Sequence, residues 1–338
     1  MSLLEVENLQ VQFQTERGIV RAVRGASFSM EEGKTLALVG ESGSGKSVTA
    51  MSILRLLDGN GGIESGEIRF TENGETKRLD KLSLKEMQAV RGNKISMIFQ
   101  EPMTALNPVL RIKKQLCEPF LIHRNLAKKE AVAEALRMLE SVHIPNPKRV
   151  LNGYPHQLSG GMRQRVMIAM ALACQPKILI ADEPTTALDV TVQAQILRLI
   201  ASLQEQNGTA VLFITHDLGV VSEIADEVAV MYFGEIVDRA KTSGIFRGKY
   251  LHPYTEGLLR SIPAFGRKRK TLESIHGNVP SPYTEILGCA FSSRCPYATM
   301  RCIREKPQLA EVGKGRFVRC FYPSKEERKN ARENAIVR

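Results

Sequence analysis

The segment TLALVGESGSGKS, at residues 35–47, decides the fold class. An apolar run typical of a buried strand leads into a loop with glycines at positions 40, 43 and 45, and a helical pattern follows at once. Such a loop directs backbone N–H groups at a phosphate, its Lys reaches the β- and γ-phosphates, and its Ser binds Mg²⁺. The predicted nucleotide-binding residues are Gly40, Ser42, Gly43, Ser44, Gly45, Lys46, Ser47 and Val48.

The flanking pattern predicts an α/β core with a mainly parallel sheet. Short apolar runs at 95–99, 178–182, 210–215 and 228–232 suit strands buried on both faces, and they alternate with helical patterns at 46–57, 161–173 and 190–206. Residues 3–13, 22–30 and 66–70 alternate apolar and polar side chains, which predicts an additional antiparallel β layer. Residues 103–157 show helical periodicity and are predicted to form an inserted helical subdomain.

Polar side chains follow three of the predicted core strands. The strand at 178–182 ends in Asp182 and is followed by Glu183, while Gln100 and His216 follow two other strands. Ligands bind at the carboxyl ends of strands in α/β sheets, so these residues are candidates for a catalytic site. We expect Asp182 to hold the Mg²⁺ shell and Glu183 to orient and polarise the attacking water as general base.

The segment QLSGGMRQR at 157–165 predicts a second anion site in the same chain. Ser159 suits a helix N-cap, and Gly160 and Gly161 leave backbone N–H groups accessible at the start of a long helix. One nucleotide cannot easily contact both sites within one subunit. We therefore expect a dimer in which the phosphate-binding loop of one subunit and the LSGG segment of the other enclose each ATP.

Together these motifs resemble those of ABC-transporter ATPases, in the family's order and over about residues 3–240. The resemblance implies a glutamine loop and Mg²⁺ contact at Gln100, a D-loop at 187–189 with nucleotide contact from Asp189, and a γ-phosphate sensor at His216. It also implies that Phe13 stacks on adenine. A non-hydrolysing regulatory cassette is an alternative that Glu183, His216 and the LSGG segment oppose.

Three further segments resemble the ATPase subunits of dipeptide and oligopeptide importers. They are EPMTALNP at 101–108, HPYTEGLLRSIP at 252–263 and the cysteine-rich end of the chain. The resemblance implies two transmembrane permease subunits, a second ATPase subunit that is a copy or a paralogue, and indirectly a peptide-binding protein. It also makes residues 101–108 the candidate docking surface for a permease. The expected domains are an ATPase domain at 1–240 and a small cysteine-rich C-terminal region at 241–338.

Four of the six cysteines cluster near the C-terminus with the spacing C-x5-C-x6-C-x17-C. This spacing lacks the C-x2-C pairs of common zinc sites and bacterial ferredoxins, so spacing alone does not identify a metal. The family resemblance favours a 4Fe-4S cluster, with structural Zn²⁺ and unligated thiols as alternatives. The candidate ligands are Cys289, Cys295, Cys302 and Cys320.

The composition bounds the partners and the location. A formal charge of +11 suits nucleotide, nucleic acid or an acidic membrane surface, but no basic stretch is interleaved with aromatic residues, so nucleic acid is not expected. A soluble ABC ATPase acting on nucleic acid or ribosomes is the alternative; this chain shows neither a second cassette nor a long coiled-coil insertion. No stretch reaches the roughly 18–20 apolar residues of a membrane span, and no signal peptide is evident. We expect a cytosolic protein bound peripherally to the cytoplasmic face of the membrane.

Overall fold

The computed structural model of the chain describes residues 2–101, 105–185, 190–262 and 275–336. These residues form two compact units, each assembled from separate stretches of the chain. The first unit comprises Met1–Leu3, Met30–Thr35 and Lys81–Ile214, and the second comprises Leu4–Ser29, Leu36–Asp80 and Thr215–Arg338.

The strands and helices are numbered in chain order. The strands are β1 (Ser2–Thr15), β2 (Gly18–Glu31), β3 (Thr35–Val39), β4 (Gly61–Glu72), β5 (Glu75–Arg78), β6 (Ile95–Ile98), β7 (Ile178–Asp182), β8 (Ala210–Thr215), β9 (Glu227–Tyr232), β10 (Glu235–Lys241), β11 (Ala310–Gly313) and β12 (Arg316–Val318). The helices are α1 (Lys46–Ile53), α2 (Leu84–Val90), α3 (Ile112–His123), α4 (Lys128–Ser141), α5 (Pro147–Asn152), α6 (Gly160–Leu172), α7 (Val190–Asn207), α8 (Leu218–Ile224), α9 (Thr242–Arg247), α10 (Pro253–Arg260), α11 (Met300–Arg304) and α12 (Lys325–Ile336). None of the helices in the described ranges is long and apolar enough to cross a lipid bilayer.

In the first unit, β6, β7 and β8 form parallel pairs in the order β8, β7, β6. The residues of these strands are buried, as the continuous apolar runs predicted. Their parallel register brings the carboxyl ends of β6 and β7 to the same edge. Gln100 follows β6, and Glu183 follows Asp182 at the end of β7, so the fold delivers these side chains to one edge.

Helices α3 to α6 occupy much of the remaining first unit. Their apolar side chains pack into a common core that includes Leu116, Phe120 and Leu139, each completely buried. Helix α4 covers most of the segment LAKKEAVAEALRMLESV, whose periodicity predicted a helix.

The second unit contains two groups of strands. An antiparallel sheet has the order β2, β1, β4, β5, and its β1–β4 register places Phe13 opposite Gly61. The other group has the order β11, β12, β10, β9, β3, in which β3 and β9 are parallel. Residues 310–318, beyond the predicted ATPase domain, thus extend a sheet that also contains the strand before the phosphate-binding loop.

Helix α1 is shorter than the sequence predicted. The predicted helix spans 46–57, whereas α1 ends at Ile53 and Leu54 is its C-cap. Arg55 has a φ of 52°, a left-handed conformation that cannot continue a right-handed helix. The apolar residue after the helix, Leu54, is explained by its burial in the core and not by a longer helix.

Candidate functional site

The backbone of the predicted phosphate-binding loop needs its glycines. Gly43 and Gly45 have φ values of +75° and +103°, which L-residues with a side chain rarely adopt. Gly40 is required for space, because a Cβ atom there would lie 2.2 Å from the backbone oxygen of Met231. The loop thus turns tightly between buried β3 and the first residue of α1.

Lys46 begins α1 and points back over the loop. Its Nζ donates to the backbone oxygens of Gly40, at 2.9 Å, and Glu41, at 3.0 Å, and the side chain is almost fully buried. The buried hydroxyl of Ser44 has no hydrogen-bond partner among the residues that the structure describes. A buried ammonium, a helix N-terminus and an unsatisfied hydroxyl fit an anionic ligand. The other predicted loop residues are exposed Ser42 and, in the first turn of α1, half-buried Ser47 and Val48.

The first unit brings two of the predicted catalytic residues together. The Nε2 of Gln100 donates to Oε2 of Glu183 at 3.2 Å, and Asp182 beside them is 2% exposed. Glu183 has a φ of 44° while its N–H donates to the backbone oxygen of Ile214 at 2.9 Å. A left-handed glutamate is strained by about 1–2 kcal/mol, and such strain concentrates at functional sites. Its carboxylate is therefore fixed by its backbone and by Gln100.

The LSGG segment forms the predicted helix start. Ser159 is the N-cap of α6, and its Oγ accepts a hydrogen bond from the N–H of Met162 at 3.3 Å. Gly160 and Gly161 are the first two residues of the helix. This geometry leaves unpaired N–H groups of the first turn available to an anion.

A contact that the sequence did not predict connects α6 to the loop that follows β7. Gln164 is 2% exposed, and its Nε2 donates to the backbone oxygen of Pro184, the residue after Glu183. A buried hydrogen bond therefore connects the LSGG helix to the residue after Glu183 within the first unit. Gln164 belongs to the quoted motif, but the motif alone does not identify its partner.

The remaining predicted nucleotide contacts have different outcomes. Phe13 is half-buried on β1, and its ring lies against Gly61, where a Cβ atom would come within 2.4 Å of the ring. His216 is exposed and directly follows β8. Asp189 and the rest of the predicted D-loop at 187–189 lie outside the described residues. Contact of Phe13 or His216 with a nucleotide stays a prediction.

The four clustered cysteines line one cavity in the second unit. Its walls include Cys289, Cys295, Cys302 and Cys320. Burial, with a smaller contribution from neighbouring thiols, raises the pKa of Cys289 to about 12 and that of Cys320 to about 11. These thiols lose their protons readily only near a positive centre. Within the described ranges, no group of three or more His, Cys, Asp or Glu side chains is arranged to hold a metal ion.

Two residues of the C-terminal region contact the phosphate-binding loop, and the sequence did not predict either contact. The hydroxyl of Tyr254 accepts a hydrogen bond from the N–H of Glu41, and Arg294 forms a salt bridge with its carboxylate. Tyr254 and Arg294 are separated from Glu41 by 213 and 253 residues, so no local pattern could reveal these pairs.

Comparison with known proteins identifies two families along the chain. The ABC transporter family matches residues 23–186, and the oligopeptide/dipeptide transporter C-terminal region matches residues 237–302. The oligopeptide transport ATP-binding protein AppD of Bacillus subtilis is 49% identical over 96% of this chain and 98% of its own length. The dipeptide transport ATP-binding protein DppD of Escherichia coli is 46% identical over 96% of this chain and 97% of its own length.

Solved structures support the same fold. A dimeric post-hydrolysis state of an ATP-binding cassette bound to ADP and Pi matches with a TM-score of 0.63 and 29% identity. The match covers 71% of this chain and 98% of that cassette. The predicted cassette fold is therefore confirmed.

Proposed function

Since this chain belongs to the oligopeptide and dipeptide transport ATP-binding proteins of the ABC transporter family, we propose that it hydrolyses ATP to energise peptide import across the cytoplasmic membrane. ATPase activity follows from membership of that family. The observation that carries the proposal is Glu183, a strained carboxylate directly after Asp182 that Gln100 contacts at 3.2 Å. A fixed carboxylate at this position can orient a water molecule for attack on the γ-phosphate.

Each predicted side chain has a defined role in this mechanism. Lys46 and the loop N–H groups bind the β- and γ-phosphates, and Phe13 stacks on the adenine. Ser47, Asp182 and Gln100 would hold Mg²⁺, and the bound ion would neutralise phosphate charge. Glu183 accepts the proton of the attacking water, and His216 contacts the γ-phosphate. Ser159, Gly160 and Gly161 contact the ATP bound to the other ATPase subunit. The nucleotide contact of Asp189, which lies outside the described residues, stays a prediction.

Peptide import requires partners for the ATPase. We place the chain peripherally at the cytoplasmic face, beneath two permease subunits that a peptide-binding protein supplies with substrate. Residues 101–108 dock a permease; of these, 102–104 lie outside the described residues. The domain limits that go with this proposal are 1–240 for the ATPase, with a helical subdomain at 103–157, and 241–338 for the cysteine-rich region. The support is the similarity to AppD and DppD over nearly the whole chain.

The proposed reaction is tested with Glu183→Gln, which removes the base and keeps the shape of the side chain. We expect steady-state ATP turnover by the purified chain to fall by roughly 100-fold or more, because general-base catalysis contributes that much. Binding of a fluorescent ATP analogue should be unchanged. Normal turnover by Glu183→Gln would show that another group activates the water.

For the cysteine-rich region we propose that a 4Fe-4S cluster binds Cys289, Cys295, Cys302 and Cys320. The four thiols line one cavity, and four cysteine ligands are the usual set for such a cluster. A bound cluster would supply the positive centre that keeps these buried thiols deprotonated. It would also hold together the parts of a segment that is rich in proline and glycine and has few apolar residues to form a core of its own.

Iron, zinc and acid-labile sulfide are measured on protein purified without oxygen, together with the visible absorption spectrum. About four irons and four sulfides per chain, the composition of one Cys₄-ligated cluster, would support this proposal. Stoichiometric zinc, or an absence of metal in freshly prepared protein, would contradict it.

A further inference from the structure

We infer that Tyr254 and Arg294 are positioning residues of the phosphate-binding loop, which they hold through Glu41, so that ATP affinity depends on the C-terminal region. This inference rests on the proposed ATP site at residues 40–47. It gives a role to the HPYT segment at 252–255, which the catalytic mechanism does not use. All the contacts involved lie within the second unit.

The first contact is made by Tyr254. Its hydroxyl accepts a hydrogen bond of 2.8 Å from the backbone N–H of Glu41, and the side chain is completely buried. Glu41 also provides one of the two backbone oxygens that Lys46 contacts. Tyr254 therefore fixes the peptide group at the start of the loop, one residue after Gly40.

The second contact is made by Arg294. Its two terminal nitrogens lie 2.6 Å and 3.1 Å from the carboxylate oxygens of Glu41, and its side chain is only 4% exposed. The guanidinium also donates through Nε to the backbone oxygen of His276 at 3.2 Å. A bidentate, partly buried arginine–carboxylate pair fixes both groups in orientation as well as distance. Arg294 directly precedes Cys295, so the same segment contacts the loop and lines the cysteine cavity.

The scaffold behind these two residues is rigid. Tyr254 packs against Tyr232 at the end of β9, with 4.6 Å between ring centroids, and against Phe291 at 5.5 Å. His252 caps α10, since its Nδ1 accepts from the N–H of Tyr254 at 3.1 Å. The N–H of His252 in turn donates to buried Asp238 on β10 at 2.9 Å. The loop is thus connected through Tyr254 and His252 to the central strands of the second unit.

The inference predicts an effect on the Michaelis constant for ATP with little effect on kcat. Tyr254→Phe removes only the hydroxyl, and we expect the Michaelis constant to rise about fivefold, the usual worth of one hydrogen bond. Arg294→Gln should raise it about tenfold, since it removes a charged bidentate contact. Arg294→Lys keeps the charge but loses the bidentate geometry, so its effect should be intermediate. Residues that only support the fold would lower the melting temperature and leave the Michaelis constant unchanged.

The chain offers matched controls. Arg21 forms an exposed salt bridge of 2.6 Å with Glu285, and Tyr283 shares an exposed hydrogen bond with Thr15. Both pairs join the C-terminal region to the N-terminal strands, and neither includes a residue of the loop. Arg21→Gln and Tyr283→Phe should therefore bind ATP as the unaltered chain does.

A double-mutant cycle with Glu41→Gln tests whether Arg294 affects ATP affinity through Glu41. If Arg294 acts through Glu41, the Michaelis constant of the double variant Arg294→Gln with Glu41→Gln should be no higher than that of the more affected single variant. Lys46→Ala serves as the reference that abolishes ATP binding. Normal ATP affinity in Tyr254→Phe and Arg294→Gln, with binding lost in Lys46→Ala, would overturn this inference and leave the ATP site intact. Normal binding by Lys46→Ala would overturn the ATP site itself.

Discussion

Two glycines of the phosphate-binding loop differ in what a new side chain would meet. A Cβ atom at Gly40 would lie 2.2 Å from a backbone oxygen of Met231, whereas one at Gly43 would meet nothing within 4 Å. We predict that Gly43→Ala weakens ATP binding roughly fivefold to thirtyfold, the cost of about 1–2 kcal/mol for a left-handed alanine. Gly40→Ala should weaken binding much more, because β9 or the loop has to move. Titration with a fluorescent ATP analogue measures both.

The relative order of these two variants is the informative result. Equal losses of affinity would contradict the close approach of the loop to β9, and melting temperatures serve as the control for general unfolding. Gly43 is exposed and Gly40 is buried. The comparison therefore separates the effect of an unfavourable backbone conformation, at Gly43, from that of a steric clash, at Gly40.

At the residue scale, the sequence predicted candidate catalytic side chains but not their conformation. The position of Glu183 after an apolar strand and Asp182 was enough to predict a general base. Its φ of 44° and its contact with Gln100 depend on residues 83 positions apart and on the loop after β7. Local patterns carry no information about such contacts.

At the element scale, helix α6 connects the LSGG segment through Gln164 to the loop that follows β7. Gln164→Ala would leave the buried oxygen of Pro184 without this donor and loosen Glu183. We predict that kcat falls about tenfold or more, because catalysis is sensitive to small displacements of the reacting groups. ATP affinity should be nearly unchanged, since Lys46 is not affected. Steady-state kinetics on the purified chain measures both quantities.

Gln195→Ala is the control for that variant. Gln195 accepts a hydrogen bond of 2.8 Å from Arg165, which lies on the same helix as Gln164, but unlike Gln164 it is exposed. The control should keep normal kcat. A normal kcat in Gln164→Ala as well would contradict the proposed connection.

Regular elements followed largely from periodicity, and the exceptions have physical causes. The buried strands β3, β6, β7, β8 and β9 lie where apolar runs predicted them, because burial on both faces requires such runs. Strands β11 and β12 were not predicted. They are four and three residues long. Strand β12 pairs with β10 across about eighty residues of chain rich in proline, and β11 pairs with β12.

At the scale of the whole molecule, the cluster proposed for the four-cysteine cavity predicts a dependence of stability on metal. Cys295→Ser should lower the iron content and the melting temperature, because cluster binding contributes to folding free energy. Cys174→Ser is the control, since Cys174 is not among the cavity residues. Iron analysis and thermal unfolding on anaerobically purified protein give the result. Equal iron contents in the two variants would contradict ligation by Cys295.

The family and the cassette fold could be predicted for the whole molecule because the nucleotide motifs are local in sequence. The contacts of Tyr254 and Arg294 with Glu41 could not be, since they form only when the C-terminal region packs against β3 and β9. The sequence predicted a separate C-terminal region. Contacts in the structure group residues 215–338 with the phosphate-binding loop in one compact unit, and the limits of the predicted domains stay a prediction.

Uptake of a labelled dipeptide or oligopeptide tests the central claim most directly. Cells that produce this chain from its native locus are compared with cells that carry Glu183→Gln at equal protein level. We predict normal uptake in the first and a loss of at least about 100-fold in the second, matching the loss of general-base catalysis. Peptide uptake at the normal rate in cells carrying Glu183→Gln would contradict the claim that ATP hydrolysis by this chain energises import.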